Sequence, residues 1–400
     1  MIWCPSTRRP TRIRFSTDTV DNHELHFMEH ALELARKGVG LASPNPTVGC
    51  VIVKDGTILG EGFHQYAWRD HAEIVALKQA GEKARGATLF VTLEPCNHTG
   101  RTGPCTEAII GAGISRVIAA MEDPNPKTRG GGFARLRAAG IEVESSVMES
   151  EAQKLNEAFA HWITTKRPFV TLKSALTLDG QLALPGANAR RRKAPASESG
   201  RYTSKKRAWI SSEESRAEVQ RMRHASDALL TGIGTILADD PFLTDRSGLE
   251  RRRRLLRVVL DTRLRLSPKA RIVQTADDDL LVFTGASLKS PKARKLQNAG
   301  VELIRMKAHG GKIDLQGVLK ELGRREILSV LLEAGPQLNG AALAAGVVQK
   351  LVLFYAPKLA GHSGVPFVFP PGPEFPSLRF ASTRQFGPDV AIEAYPTKNL

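Results

Sequence analysis

Arg69-Asp70-His71-Ala72-Glu73, then Thr92-Leu93-Glu94-Pro95-Cys96, then Gly103-Pro104-Cys105: this stretch of the 400-residue chain decides how the rest is read. Imidazole nitrogen and thiolate sulfur are ligands that zinc takes, and a catalytic zinc site leaves its fourth position to water. Zinc lowers the pKa of such a water to about 7. Glu73 lies at the same helix start as His71, placed to move protons between that water and a leaving amine without binding the metal. A lone cysteine is more often a small buried hydrophobe than a ligand. A His two residues before a Glu, then Pro-Cys and a second Cys, is the pattern of zinc-dependent deaminases. We therefore read His71, Cys96 and Cys105 as zinc ligands and Glu73 as the catalytic residue. Eight residues separate the two cysteines, where many such sites have two. The segment between them is polar, basic and glycine-containing, suited to reach over a substrate.

Composition sets the frame. Four hundred residues suggest two or three domains. A hydrophobic fraction of 42% and a charged fraction of 24% are ordinary for a globular protein. No apolar run reaches the length of a membrane span, and no apolar core of a secretory signal is seen at the N-terminus. Four cysteines, two of them assigned to zinc, do not make a disulfide framework. Thiolate ligands favour a reducing compartment, so a cytoplasmic location is expected. Cys50, within the apolar run Val48–Val53, reads as a buried strand residue.

The formal net charge is +16. The excess concentrates at Arg8–Arg14, at Arg190–Lys193 with Lys205–Arg207, and at Arg251–Arg254. Aromatic residues do not alternate with these runs, so a stacking platform for single strands is not evident. They read as solvated loops, and neither a nucleic-acid partner nor a membrane is expected.

Residues 1–20 read as a disordered tail. Helical spacing over Leu25–Ala35 ends at Gly38 and Gly40, and Ser43-Pro44-Asn45-Pro46 is a rigid turn. Strands at Val48–Val53 and Ile58–Gly62 meet at Asp55-Gly56, a strong hairpin signal. Asp70 is a candidate N-cap for the helix carrying His71 and Glu73. Strands at Thr88–Leu93, Val117–Ala120 and Ile141–Val143 alternate with helices at Thr106–Ala112 and Phe133–Ala139, which predicts a sheet with helices on its faces. Pro104-Cys105 opens a helix, where the dipole favours a thiolate. Glu149–Thr165 is helical and connects to a second α/β unit. Its strands are expected at Phe169–Ala175, Ala228–Thr231, Arg257–Leu260, Asp279–Phe283, Val301–Ile304, Ser329–Leu332 and Lys350–Tyr355, with an edge strand at Val390–Tyr395. The expected domains are 21–148, a linking helix 149–166, and 167–400 with a basic insert at 187–207.

The motifs now resemble one family. Pro44–Val51, His71-Ala72-Glu73, Thr92–Cys96, Gly100-Arg101-Thr102 and Asp123-Pro124-Asn125-Pro126 look like the deaminase half of the bifunctional riboflavin-biosynthesis deaminase–reductases. Leu176–Gly180, Trp209-Ile210-Ser211, Gly232–Thr235, Leu237–Pro241 and Glu333–Pro336 resemble the reductase half. The resemblance implies a cytidine-deaminase-like α/β/α sandwich followed by a dihydrofolate-reductase-like α/β domain. It implies hydrolytic deamination of a phosphoribosylamino-diaminopyrimidinone, then NADPH-dependent reduction of the ribosyl group to ribityl.

It also assigns residues. Asn45, with His98, Arg101 and Asn125, is a candidate to hold the deaminase substrate. Cofactor contacts correspond to Ala175, Trp209, Thr235, Asp239 and Thr262. The cofactor phosphates belong near Gly335, Pro336, Gln337, Leu338, Asn339, Gly340 and Ala341, a loop opening a helix, which suits anions. Reductase substrate contacts correspond to Arg223, Leu243, Arg246 and Glu333, with Arg223 and Arg246 as forks for a 5-phosphate. The family places a Ser where Arg207 stands, at the edge of an insert longer than the family's link. Homo-oligomers are the family's habit. The alternatives are a working deaminase with a degenerate or repurposed reductase domain, and an RNA-editing or RNA-binding deaminase.

Overall fold

A computed structural model describes residues 22–99, 103–183, 210–369 and 376–397. The expected tail, Arg101, the basic insert, Arg207 and Trp209 lie outside the described residues. Among these residues the chain forms two main sheets, each with its own apolar core.

The first sheet contains β1 (Gly49–Lys54), β2 (Thr57–Phe63), β3 (Thr88–Val91), β4 (Arg116–Ala119) and β5 (Glu142–Glu144), in the order β2-β1-β3-β4-β5. The hairpin signal holds: β1 and β2 are antiparallel, and Asp55 and Gly56 both take positive φ. β3, β4 and β5 are parallel, joined by the crossover helices α3 (Cys105–Gly111) and α4 (Gly131–Ala138). Helix α1 (Asn22–Lys37) places the fully buried Met28, Ala31 and Leu32 in the core beneath the sheet. Helix α2 is Ala72–Ala80. Cys50 is buried in β1, as its apolar neighbours imply.

The connecting segment is two helices, α5 (Glu149–Leu155) and α6 (Glu157–Thr165), not one. The break is at Asn156, whose side chain is drawn to Thr47. Its Oδ1 accepts from Thr47 N at 2.9 Å and Thr47 Oγ1 at 3.1 Å, and its Nδ2 donates to Thr47 O at 3.0 Å. These bonds to a distant backbone compete with continuation of the helix.

The second sheet contains β6 (Phe169–Thr177), β7 (Ala228–Gly232), β8 (Leu256–Leu260), β9 (Leu280–Thr284), β10 (Val301–Arg305), β11 (Ser329–Leu332), β12 (Lys350–Ala356), β13 (Leu378–Phe386) and β14 (Asp389–Pro396). Its order is β10-β9-β8-β7-β11-β6-β12-β14-β13. The pairs from β10 through β12 are parallel, and β14 and β13 close the sheet antiparallel. The segment expected at the edge is therefore interior, and β13 covers it. Helix α7 (Glu213–His224) leads into the amino end of β7, whereas α8 (Ile233–Asp239) and α9 (Pro336–Ala344) start just past the carboxyl ends of β7 and β11, where ligands bind in open α/β sheets.

Candidate active sites

The zinc trio assembles at the carboxyl end of β3. His71 Nδ1 lies 3.2 Å from Cys105 Sγ and 3.5 Å from Cys96 Sγ, and the three atoms lie within 4.8 Å of one another. Cys105 is the first residue of α3, and its backbone N–H points at Cys96 Sγ at 3.4 Å. Hydrogen bonds from Cys105 and His71 hold the Cys96 thiol well below its usual range, while the bond to Cys96 and burial push Cys105 up. Two sulfurs and an imidazole nitrogen crowd one point. A tetrahedral N/S cation site satisfies that arrangement, so the residues fit zinc. Glu73 is buried in the first turn of α2 beside the trio, and burial raises its carboxyl above the usual range.

Asp70 does not cap α2. His71 itself occupies the N-cap position. The Asp70 carboxylate pairs with Lys78 at 2.6 Å, and its carbonyl accepts from His64 Nδ1 at 3.0 Å. His64 was not singled out by sequence. It is buried, its ring meets that of His71 edge-on at 5.3 Å, and its Nε2 lies 3.0 Å from Asn45 Nδ2. With Nδ1 donating to a carbonyl, Nε2 accepts from the Asn45 amide. Asn45 thus sits one residue away from the metal ligands.

Glu94 belongs to the same motif as Cys96 but has another task. Its buried carboxylate accepts from the backbone N–H groups of Asp123 (3.0 Å), Gly130 (2.9 Å), Gly132 (2.8 Å) and Phe133 (3.3 Å). It ties the loop 121–133 to the zinc loop. Gly132 is required there, because a Cβ would lie 2.0 Å from Pro95 O. Asn125 accepts from Lys127 N at 3.2 Å, an Asx turn within that loop. His98 is exposed.

In the second domain, Arg223 and Glu333 meet at the carboxyl end of β11. Arg223 Nε and Nη2 bind Glu333 Oε1 and Oε2 at 2.7 and 3.0 Å, and Nη1 donates to Thr244 O at 3.0 Å. Lys173 Nζ is 3.8 Å from Glu333 Oε2. Burial alone pushes the Glu333 carboxyl up, but Arg223 and Lys173 outweigh it and hold it low. Burial lowers the Lys173 ammonium. Lys173 was missed by sequence; its signal was a lone charge inside the strand pattern Phe169–Leu176. Since Arg223 is spent on Glu333, the exposed Arg246 is the better placed of the two expected phosphate forks.

Leu243 is buried with φ 56°, held in place as Arg257 grips the Phe242 carbonyl at 3.0 Å. Thr235 lies in the first turn of α8, and Asp239 ends it, exposed. Thr262 follows β8 and accepts from Gly285 N at 3.0 Å. Ala175 lies on β6 and packs on a small cluster around Val352 and Phe354. Gly335 is the N-cap of α9, with Pro336 at its first turn and Leu338 beside Gly232. Asn339 and Gly340 face another way: Asn339 Nδ2 donates to Phe367 O at 3.0 Å, and Gly340 abuts Phe369.

The Arg251–Arg254 run is only partly a solvated loop: Arg252 and Arg254 are exposed, but Arg251 and Arg253 are half-buried. Arg251 donates to Asp245 at 3.0 Å and to Ser226 O at 2.8 Å, and Arg253 to Glu326 O at 2.7 Å. Arg252 lies over the Tyr66 ring at 3.8 Å. A run of like charges looks solvated only while its distant partners are unknown.

Residues 168–392 match the family described as the RibD C-terminal domain, and residues 21–121 the cytidine and deoxycytidylate deaminase zinc-binding region. The chain is 40% identical over 383 residues to the riboflavin biosynthesis protein RibD of Escherichia coli, covering 92% of this chain and 98% of that one. The chain belongs to the RibD family. The RibD of Aquifex aeolicus is 42% identical over 337 residues, 84% of this chain and 88% of that one. The structure of Acinetobacter baumannii RibD superposes with a TM-score of 0.79 at 35% identity, covering 94% of this chain and 99% of that one. A Thermotoga maritima structure, described as a diaminohydroxyphosphoribosylaminopyrimidine deaminase/5-amino-6-(5-phosphoribosylamino)uracil reductase, gives a TM-score of 0.77 at 35% identity, covering 94% and 100%. As a RibD, the chain is a bifunctional deaminase and reductase of riboflavin biosynthesis, with zinc and NADPH as cofactors. The second domain's match removes the ground for an RNA-editing reading, which left that domain without a role. Among the described residues no helix is long and apolar enough to cross a membrane.

Proposed function

We propose that residues 21–148 hydrolyse the ring amine of 2,5-diamino-6-(5-phosphoribosylamino)pyrimidin-4(3H)-one. Residues 167–400 then reduce the ribosyl group of 5-amino-6-(5-phosphoribosylamino)uracil to ribityl, with 149–166 as the link. The observation that carries this reading is the pairing, in one chain, of the His71–Cys96–Cys105 trio beside Glu73 with the Lys173–Glu333–Arg223 cluster.

In the first step, His71, Cys96 and Cys105 hold the zinc, which when bound supplies Lewis acidity that makes water a nucleophile at neutral pH. Glu73 takes a proton from the attacking water and delivers it to the departing nitrogen, so ammonia leaves and a carbonyl remains. Its burial suits that role, because a carboxyl raised toward neutrality both accepts and returns a proton. Asn45, oriented by His64, binds the substrate above the metal ligands.

In the second step, NADPH supplies the hydride. Gly335–Leu338, at the start of α9, would hold its phosphates, where the positive end of the helix favours anions. Ala175, Thr235, Asp239 and Thr262 line the rest of its path. Arg246 takes the substrate phosphate, Leu243 its ring face, and Glu333 its ribose hydroxyls. Lys173, with a lowered ammonium pKa, donates the proton that opening the ribose ring requires. The thiolate ligands fit a cytoplasmic setting. The exposed Leu378 and Phe380 on the edge strand β13 support a homo-oligomer.

Half-reactions measured separately test the reading. Glu73→Gln is expected to abolish ammonia release and leave reduction of the deaminated substrate intact, whereas Arg246→Ala raises the KM of reduction only. Deamination that survives Glu73→Gln would show the role given to Glu73 to be wrong.

A further inference from the structure

The loop that carries Asn45 does not end at the first domain. Val39 O lies 3.3 Å from His224 Nε2, and Gly40 O accepts from Arg252 N at 2.9 Å. Ser43 O and Oγ accept from Arg252 Nη1 at 3.3 Å and Arg253 Nη2 at 3.2 Å. Arg252 also stacks on Tyr66, whose backbone N–H is tied to Leu41 O at 3.2 Å.

On the other side these groups buttress the reductase cluster. His224 is buried, and its Nδ1 faces Asp245 Oδ2 at 3.3 Å. Arg251 binds the same Asp245 oxygen at 3.0 Å and reaches Arg223 O at 3.4 Å. Asp245 precedes Arg246 directly, and His224 follows Arg223. Both ring nitrogens of His224 face oxygen acceptors, one from each domain. Gly40 has φ +79°, and a Cβ there would lie 2.7 Å from His224 Cε1. The two domains therefore meet with no room for a methyl group.

We propose that the first-domain loop 39–45 is a working part of the reductase site: it seats His224 and the Arg251–Arg253 strap, which position the Arg223–Glu333 pair and, next to Asp245, the substrate-binding Arg246. These are positioning residues; none of them touches the reacting atoms. The proposal rests on the substrate-binding role given above to Arg246. It makes the reduction sensitive to a substitution in the deaminase domain that changes no residue of the reductase domain.

The test uses the full-length, zinc-loaded enzyme and 5-amino-6-(5-phosphoribosylamino)uracil. Gly40→Ala is expected to raise the KM of reduction at least about five-fold, with kcat within about two-fold of wild type. Gly56→Ala is the control for backbone strain: Gly56 has φ +73° with no atom within 4 Å of an added Cβ, and its substitution should leave reduction unchanged. In a His224→Ala background the Gly40→Ala effect should shrink, because the ring it strikes is gone. A wild-type KM in Gly40→Ala, or an effect undiminished in the double variant, overturns the proposal. If Gly40→Ala does not fold, Arg252→Ala replaces it, with the same KM rise expected and an unchanged KM again contrary. Arg246→Ala separates the two levels: if it raises KM while Gly40→Ala is silent, the brace alone fails. If Arg246→Ala is itself silent, the role given to Arg246 fails.

Discussion

Glu73 and Glu94 are both buried glutamates of the deaminase domain, yet replacing each by Gln should have opposite consequences. Glu94 accepts two backbone N–H groups on each oxygen: Gly132 and Phe133 on Oε1, Asp123 and Gly130 on Oε2. A glutamine keeps one acceptor oxygen and turns an NH2 toward the other pair of donors. Two hydrogen bonds to a charged group are lost, each worth about 1.5–3 kcal/mol, and their donors stay buried. The cost is about 3–6 kcal/mol, a large part of the ~5–15 kcal/mol that holds a typical domain together. Thermal unfolding followed by circular dichroism should show the first-domain transition of Glu94→Gln lowered by about 10 °C or more. Glu73→Gln, by contrast, should unfold near the wild-type temperature while deamination is lost. A Glu94→Gln enzyme with wild-type stability would refute the reasoning, because the four bonds would then contribute nothing.

Other outcomes follow from the same geometry. Lys173→Met should abolish reduction while ammonia release stays within about two-fold of wild type, measured as separate half-reactions. Arg257→Met removes a fully buried guanidinium from Asp279, bound at 2.5 and 3.1 Å, and should cost about 3–5 kcal/mol in urea unfolding because Asp279 is left uncompensated. Glu333 is held low by Arg223 and Lys173, against burial. Its contribution is therefore present above the unfolded carboxyl pKa of about 4.3 and is lost as pH falls through the lower folded value. Glu333→Gln should flatten that acid limb of stability. Cys105→Ser should lower zinc content, by atomic absorption, and deamination together, and leave reduction unaffected.

Where local chemistry dictates residue type, the chain was legible. Asp55-Gly56 marked a hairpin because the turn needs positive φ, and His71, Cys96 and Cys105 stood out because zinc restricts its donors. The strands of both sheets followed from short apolar runs between turn signals. What was not legible depends on distant partners. Asp70 looks like an N-cap, but Lys78 and His64 take its oxygens. Asn156 interrupts a helical pattern because Thr47 is there to bind it. β13 shows no buried face in its burial pattern, and no strand was expected there. His64 and Lys173 acquire their roles only from the side chains brought beside them. The arginines of the strap were counted as surface charge because the carbonyls they hold are distant in sequence: Ser43 O in the other domain, Ser226 O and Glu326 O in their own.

The central claim is that two sites in one chain carry out consecutive reactions on one substrate skeleton. The most direct test supplies the purified, zinc-loaded protein with the phosphoribosyl diaminopyrimidinone and NADPH, and counts ammonia released against NADPH oxidised. The account predicts one of each per substrate consumed, with NADPH oxidation absent from Lys173→Met and both absent from Glu73→Gln until deaminated substrate is added. Ammonia release with no NADPH oxidation in the wild-type protein would contradict it.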